Sequence, residues 1–361
     1  MKCNIICNFA PENKKMKPFR KEAIRLLDSF FAQAKRVTLV THTHPDGDAV
    51  GCTVALQAFL KRVYRTDVRI IYPDPIAARL RFLVNRVQPI VASRQPDAAR
   101  NRLAETDLLV CLDCNGFSRV EGLKDMLADS PARKVLIDHH LNPDAASFDL
   151  VFSETEVSSA CELLYHILMA LPAVAGKASR LGRQAARALM AGMTTDTNNF
   201  ANSVWPTTFG MASALLATGV DRDALLQRLY QTYPEDRIRL QGLLLKDLLH
   251  ITPKGVAYMV LDRKTQRRFS LQEGDTEGFV NLPLAIRKVR MSLFLREENG
   301  VFRVSIRSKK GTSANTLAAR YFCGGGHELA AGGKFIPTRD RDKAAEAEAF
   351  IERITEEFLS E

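Results

Sequence analysis

Along the first two thirds of the chain, apolar residues come in short unbroken runs separated by stretches of helical spacing. The runs lie at 36–40, 67–72, 107–113 and 134–140 and are rich in Val, Ile and Leu. A strand with one wet face alternates apolar and polar residues. A strand apolar on consecutive residues is buried on both faces, as in a parallel sheet. Apolar residues at helical spacing predict helices over 19–34, 50–63, 159–169, 185–193, 206–216 and 222–230, with short helical pieces at 80–84 and 97–104. Strands alternating with helices predict an α/β fold whose N-terminal domain is a parallel sheet flanked by helices.

The pattern changes further on. A charged amphipathic stretch at 237–249 reads as a linker helix, and Pro253-Lys254-Gly255 as a turn. Strands follow at 256–261, 291–296 and 301–307, the last two joined through Asn299-Gly300, a hairpin signal. A helix over 314–321 precedes Gly324-Gly325-Gly326-His327, and 341–358 is a closing helix. The expected organisation is a larger domain at 17–232, a linker helix at 233–252 and a smaller mixed α/β domain at 253–361.

Composition narrows the class. The chain has 361 residues, 46% of them hydrophobic, enough for two cores. Its net charge of +10 favours an anionic partner such as a nucleotide or nucleic acid. Aromatic residues are only 7%, which argues against a long stacking groove for single strands. Seven scattered cysteines do not form a disulfide framework and suggest a reducing cytoplasm. Cys111 and Cys114 are expected to pack rather than to act in redox chemistry. No apolar run reaches the length of a membrane span. Residues 1–15 read as a floppy extension, with Met16 as an alternative start.

The chemistry gathers where apolar runs stop. After 36–40 comes Thr41-His42-Thr43-His44-Pro45-Asp46-Gly47-Asp48, with Pro45 and Gly47 breaking the strand. The third run ends on Asp113, the fourth on Asp138-His139-His140, and the helix over 185–193 runs into Asp196. The C-terminal ends of parallel strands are where α/β proteins bind ligands. A cluster of carboxylates repels itself without cations, and two divalent ions would resolve that. Oxygen ligands with imidazoles suit manganese or magnesium. Asp113, alone on its strand end, is the expected bridge between two ions. His44 reads as a loop residue, held away from its neighbours by Pro45. Ser159 and Glu162 fit a capping box, and Ser158 and Ser159 are also candidates to aim a helix N-terminus at a phosphate. In the smaller domain, Arg307 is a candidate phosphate clamp. Gly324, Gly325 and Gly326 are a candidate anion nest beside His327.

His42-x-x-Pro45-Asp46-x-Asp48-Ala49-x-Gly51, the isolated Asp113, Asp138-His139-His140 and Thr195-Asp196-Thr197 together resemble the DHH phosphoesterase family. The Gly324–His327 segment resembles its DHHA1 substrate domain, and the layout resembles the branch of nanoRNases and pAp phosphatases. The resemblance runs from about Phe19 onward and implies a two-ion phosphoesterase using manganese, with magnesium or cobalt as alternatives. His42, Asp46 and Asp113 would hold one ion, and Asp48, Asp113, His139 and Asp196 the other. His140 would face the substrate phosphate and Asp138 would orient the histidines. Asn198 stands where the family often has glycine. The implied substrates are short oligoribonucleotides and adenosine 3′,5′-bisphosphate, and the implied assembly is a homodimer. The rivals are a cyclic dinucleotide phosphodiesterase, a pyrophosphatase- or exopolyphosphatase-like hydrolase and, outside catalysis, a nucleotide-binding sensor.

Overall fold

In the computed structural model, which describes residues 5–7, 19–271, 274–338 and 342–359, the chain divides into two units, Met1–Thr232 and Tyr233–Glu361. The first is built on strands β1 (Ile5–Cys7), β2 (Arg36–Val40), β3 (Asp67–Tyr72), β4 (Ile90–Val91), β5 (Leu108–Leu112), β6 (Arg133–Asp138) and β7 (Leu150–Ser153). They form one sheet in the order β1-β7-β6-β5-β2-β3-β4, and every pair is parallel. Its helices are α1 (Lys21–Gln33), α2 (Gly47–Val63), α3 (Arg81–Val84), α4 (Pro96–Ala104), α5 (Lys124–Ala128), α6 (Ala160–Ala170), α7 (Arg183–Asp196), α8 (Pro206–Leu216) and α9 (Arg222–Tyr230).

The unbroken apolar runs are explained by two cores. Successive strand residues point to opposite faces. Val37, Leu39, Val110, Leu112 and Ile137 enter the core shared with α1, α2, α6 and α7, while Val40, Cys111 and Leu136 enter the core on the other face, shared with α4 and α5. The chain runs outward from β2 through β3 to β4, then returns to place β5 on the other side of β2. The sheet therefore reverses direction between β2 and β5. Such a switch point opens a crevice at the strands' C-terminal ends.

Helices α2 and α7 pack so closely that a Cβ on Gly51 would lie 2.7 Å from the Ala188 carbonyl oxygen and 2.9 Å from the Gly192 Cα. Two helix backbones at that separation leave no room for a side chain.

Three expectations are corrected here. The extension over 1–15 is not wholly without structure, because Ile5–Cys7 pairs with Leu150–Phe152 and so satisfies the outer edge of β7. The rest of that stretch and Met16 lie outside the described residues. Cys111 and Cys114, expected as packing thiols, form a disulfide with their Cα atoms 6.3 Å apart. An odd, scattered cysteine count excludes a framework but not one local bridge. Thirdly, α2 starts at Gly47 rather than at 50, because Asp46 caps it by accepting from the backbone N–H of Asp48 and Ala49.

The second unit comprises α10 (Glu235–Asp247), β8 (Leu249–Ile251), β9 (Val256–Leu261), α11 (Arg263–Gln266), β10 (Met291–Glu298), β11 (Val301–Ser308), α12 (Ala314–Tyr321), β12 (Gly325–His327), β13 (Ala330–Phe335) and α13 (Lys343–Phe358). Its sheet has the order β12-β13-β11-β10-β9-β8; β9 and β10 pair parallel and the other described pairs are antiparallel. The β10–β11 hairpin turns on Asn299 and Gly300, both at positive φ (51° and 84°), as the Asn-Gly pair requires. Helix α10, in the stretch expected as a linker, buries Leu240 and Leu244 in this unit's core beside Met259, Leu261 and Phe294. Among the described residues no helix is long and apolar enough to cross a membrane.

Candidate active site

The loops after β2, β5 and β6, the start of α2 and the end of α7 meet at the crevice of the first unit. Strands β5 and β6 end at Leu112 and Asp138, so Asp113, His139 and His140 sit on the loops beyond them. Asp113 takes the left-handed backbone region (φ 56°), which is costly for a residue with a Cβ. Its backbone N–H donates to the Ile137 carbonyl, which pins the turn.

The result is two groups of potential ligands sharing one carboxylate. His42 Nε2 lies 3.6 Å from Asp113 Oδ2 and 3.8 Å from Asp46 Oδ1. His139 Nε2 lies 3.5 Å from Asp113 Oδ1, 3.7 Å from Asp196 Oδ2 and 3.9 Å from Asp48 Oδ2. The two oxygens of Asp113 thus face different groups. In each group, His42-Asp46-Asp113 and Asp48-His139-Asp196, the ligand atoms lie within 4.8 Å of one another, the reach of a single ion's coordination sphere. The Thr43 carbonyl accepts from His42 Nδ1 at 2.9 Å, which makes Nε2 the nitrogen that faces the carboxylates.

His140 is held differently. Its Nδ1 donates to Asp138 Oδ1 at 2.8 Å, and its backbone N–H donates to Asp138 Oδ2 at 3.0 Å. Asp138 is fully buried, and this contact fixes the ring of His140. Asp48 has a second attachment, since its carboxylate accepts from the N–H groups of Ala160 (2.6 Å) and Cys161 (2.9 Å) at the start of α6.

That attachment corrects one expectation. The N-terminus of α6, read as a phosphate site, receives the Asp48 carboxylate. Ser159 caps the helix by accepting from Glu162 N, and Ser158 donates through Oγ and N to Glu162 Oε2. Both serines are buried and committed, so neither is placed to meet a substrate. Glu162 also accepts from Thr208, tying α6 to α8; as a capping-box residue it gave no sign of this in the sequence. His44 turns away from the cluster, with its backbone N–H on Asp74 Oδ2 at 3.0 Å.

Electrostatics follow from packing carboxylates and imidazoles together. Burial lowers the His42 imidazole, but Asp113 and Asp46 more than reverse that and push it up to about 10. His139 is likewise pushed up to about 10, burial being overcome by Asp113, Asp196 and Asp48. Burial raises the Asp113 carboxyl, yet His139 and His42 hold it well below the usual range. Asp48 is driven well above that range by burial, then by Asp113 and Asp196. The cluster therefore binds protons where cations would sit. Asp113 Oδ1 is buried without a hydrogen-bond partner, as an oxygen reserved for an ion would be. The residues present fit two divalent cations.

A measurable consequence is proton release. Both imidazoles are raised, so below about pH 10 an incoming ion must displace their protons. Apparent cation affinity should rise with pH across that window. The heat of binding should depend on the ionisation enthalpy of the buffer. Cation binding that is independent of pH and buffer would count against this reading.

In the second unit, Arg307 and His327 both pair with Ala330, one through β11 and the other through β12. Residues in one cross-strand row project to the same face, so these two share a face. The glycine nest is not formed as expected. Gly325 and Gly326 belong to β12, and Gly326 N donates to Asn315 Oδ1. A Cβ on Gly324 would lie 1.9 Å from the Gly332 carbonyl oxygen. These glycines allow strands to approach closely.

An α/β crevice that brings together two groups of acidic and imidazole side chains joined by one carboxylate has the make-up of a site for divalent cations acting on a phosphoryl group. The chain belongs to the DHH family: residues 36–193 match the DHH family, N-terminal domain, and residues 254–358 match the DHHA1 domain. It is similar to a probable bifunctional oligoribonuclease and PAP phosphatase NrnA of Streptococcus mutans, with 29% identity over 82% of this chain and 88% of that one. It is also similar to the cyclic-di-AMP phosphodiesterase PdeA of Listeria monocytogenes, at 26% identity over 58% of this chain but only 32% of that protein. Among solved structures, an exopolyphosphatase-related protein of Bacteroides fragilis superposes with a TM-score of 0.83 at 32% identity, covering 92% of this chain and 96% of that one. The family is one of metal-dependent phosphoesterases, and the structure holds an Asp/His cluster at the crevice.

Proposed function

We propose that this protein is a manganese-dependent phosphoesterase that cleaves short oligoribonucleotides to mononucleotides and removes the 3′-phosphate of adenosine 3′,5′-bisphosphate. The observation that carries the proposal is the division of Asp113, one oxygen towards His42 and Asp46 and the other towards His139. The similarity to the S. mutans protein over most of both chains supports the choice of substrate.

His42, Asp46 and Asp113 would hold one cation, and Asp48, His139, Asp196 and Asp113 the other. When bound, such ions supply positive charge against a phosphoryl group and polarise an attacking water. The rest falls to the chain. Asp138 keeps Nδ1 of His140 occupied, so Nε2 is the nitrogen that would donate to a phosphate oxygen as charge develops there. Asp48 is held in place by the N–H groups at the start of α6.

Arg307 and His327 are assigned to the substrate beyond the scissile phosphate. On this reading the preferred RNA is two to about four nucleotides long, since each further base needs a stacking surface worth ~1–3 kcal/mol. The Arg307→Ala variant should lose one charge-assisted contact, roughly ten- to a hundredfold in kcat/KM on a diribonucleotide. A small generic phosphodiester, with nothing to offer Arg307, should be cleaved nearly as before. The deciding experiment sets a diribonucleotide, a 24-nucleotide RNA, adenosine 3′,5′-bisphosphate, cyclic di-AMP and pyrophosphate side by side with manganese. Faster cleavage of the long RNA or of cyclic di-AMP than of the diribonucleotide would refute the assignment.

A further inference from the structure

A second concave site lies at the other pole of the first unit. Helix α2 begins at the ligand cluster with Asp46 and Asp48, and α7 ends there with Asp196. Their opposite ends line a cavity of 340 Å³ with Lys61, Arg62, Arg86, Gly182, Arg183 and Gln184 on its wall. Lys61 follows Asp48 by thirteen residues, a rise of about 20 Å along the helix. The cavity is therefore separate from the hydrolytic site.

Its chemistry is one-sided. Four cationic side chains and no carboxylate are found among its lining residues. Lys61, Arg86 and Arg183 make no ion pair among the described residues. The guanidinium of Arg62 donates to the Arg180 carbonyl, which holds it in place with its remaining N–H groups uncommitted. Gly182 makes this possible, because a Cβ there would lie 2.9 Å from Arg62 Nε. Like charges crowd the region. Partial burial and then Arg69 hold the Lys61 amine below its usual range, and burial followed by Arg228 and Arg86 does the same for Arg187. Gly182 supplies no side chain to cap α7, so the first N–H groups of that helix add donors on the same wall. A cavity at the small end of ligand sites suits a compact anion rather than an extended strand.

We propose that this cavity binds a triphosphate chain, either inorganic or carried on a nucleoside. Several phosphates in a row match several cations held around one concavity, and the guanidinium forks suit phosphate oxygens.

The test is calorimetry on the full chain with inorganic tripolyphosphate and no added divalent cation, so that the carboxylates of the hydrolytic site repel the probe. The wild type should bind. The Lys61→Ala/Arg183→Ala variant should bind at least tenfold more weakly with an unchanged melting temperature, both side chains being exposed. The His140→Ala variant should bind as the wild type does. ATP titrated in the same way separates the sources: tighter binding than tripolyphosphate assigns the site to nucleotides, and equal or weaker binding assigns it to the bare chain. No binding by the wild type, equal binding by the double variant, or loss in His140→Ala would overturn the proposal. Because the readout is binding, it stands or falls separately from the hydrolytic reading.

Discussion

Asp113→Asn is expected to lower turnover of a diribonucleotide by at least roughly 100- to 1000-fold, the scale on which removing one preorganised group of an active site acts. Asparagine keeps the shape of the side chain, so the turn pinned by Asp113 N and the Ile137 carbonyl should survive. What changes is the sharing of charge. Asp113 presents Oδ2 to the His42 group and Oδ1 to the His139 group. An amide can serve only one of them, and its NH2 would point a donor where the other needs a lone pair. One negative charge common to both groups is also lost. Turnover in excess manganese and the melting temperature should be measured together. Near-normal turnover would remove the two-ion reading, and a large fall in melting temperature would assign the effect to folding.

The second large effect separates two neighbouring histidines. Their rings are 4.8 Å apart, yet their partners differ. His139 Nε2 faces Asp48, Asp113 and Asp196. His140 turns Nδ1 to the buried Asp138. His139→Ala should therefore weaken cation binding, and excess manganese should restore part of the activity. His140→Ala should leave cation affinity nearly unchanged and lower kcat by roughly 100- to 1000-fold, with no recovery at high manganese. Cation titrations of activity in the two variants decide this. Equal rescue of both would show that the proposed roles are wrong.

Other expectations failed for reasons of space that a sequence does not contain. Ser158 and Ser159 were read with a phosphate at the start of α6, but a carboxylate from α2, more than a hundred residues earlier, occupies that place. The local pattern was sound and its partner was distant. The three glycines at 324–326 were read as an anion nest, but Gly325 and Gly326 lie in a strand, and Gly324 passes within a side chain's width of Gly332. Glycine permits close approach without specifying to what.

The sequence by itself determined the class of fold and showed acidic and imidazole residues gathered where apolar runs end. Strands buried on both faces must be apolar throughout, and an acidic or imidazole residue at the end of such a run is conspicuous. Only the tertiary structure shows what brings these side chains into the two groups that the family resemblance implies. The return of the chain from β4 to β5 sets Asp113 beside His42 across the switch point, and the left-handed turn at Asp113 directs its two oxygens apart. The same holds for the basic pole, where Lys61, Arg86 and Arg183 belong to separate stretches of sequence. Lys61 and Arg183 meet because α2 and α7, which carry them, pack backbone to backbone at Gly51 and Gly192. Side-chain chemistry is written residue by residue, whereas proximity between distant residues is a property of the packed chain.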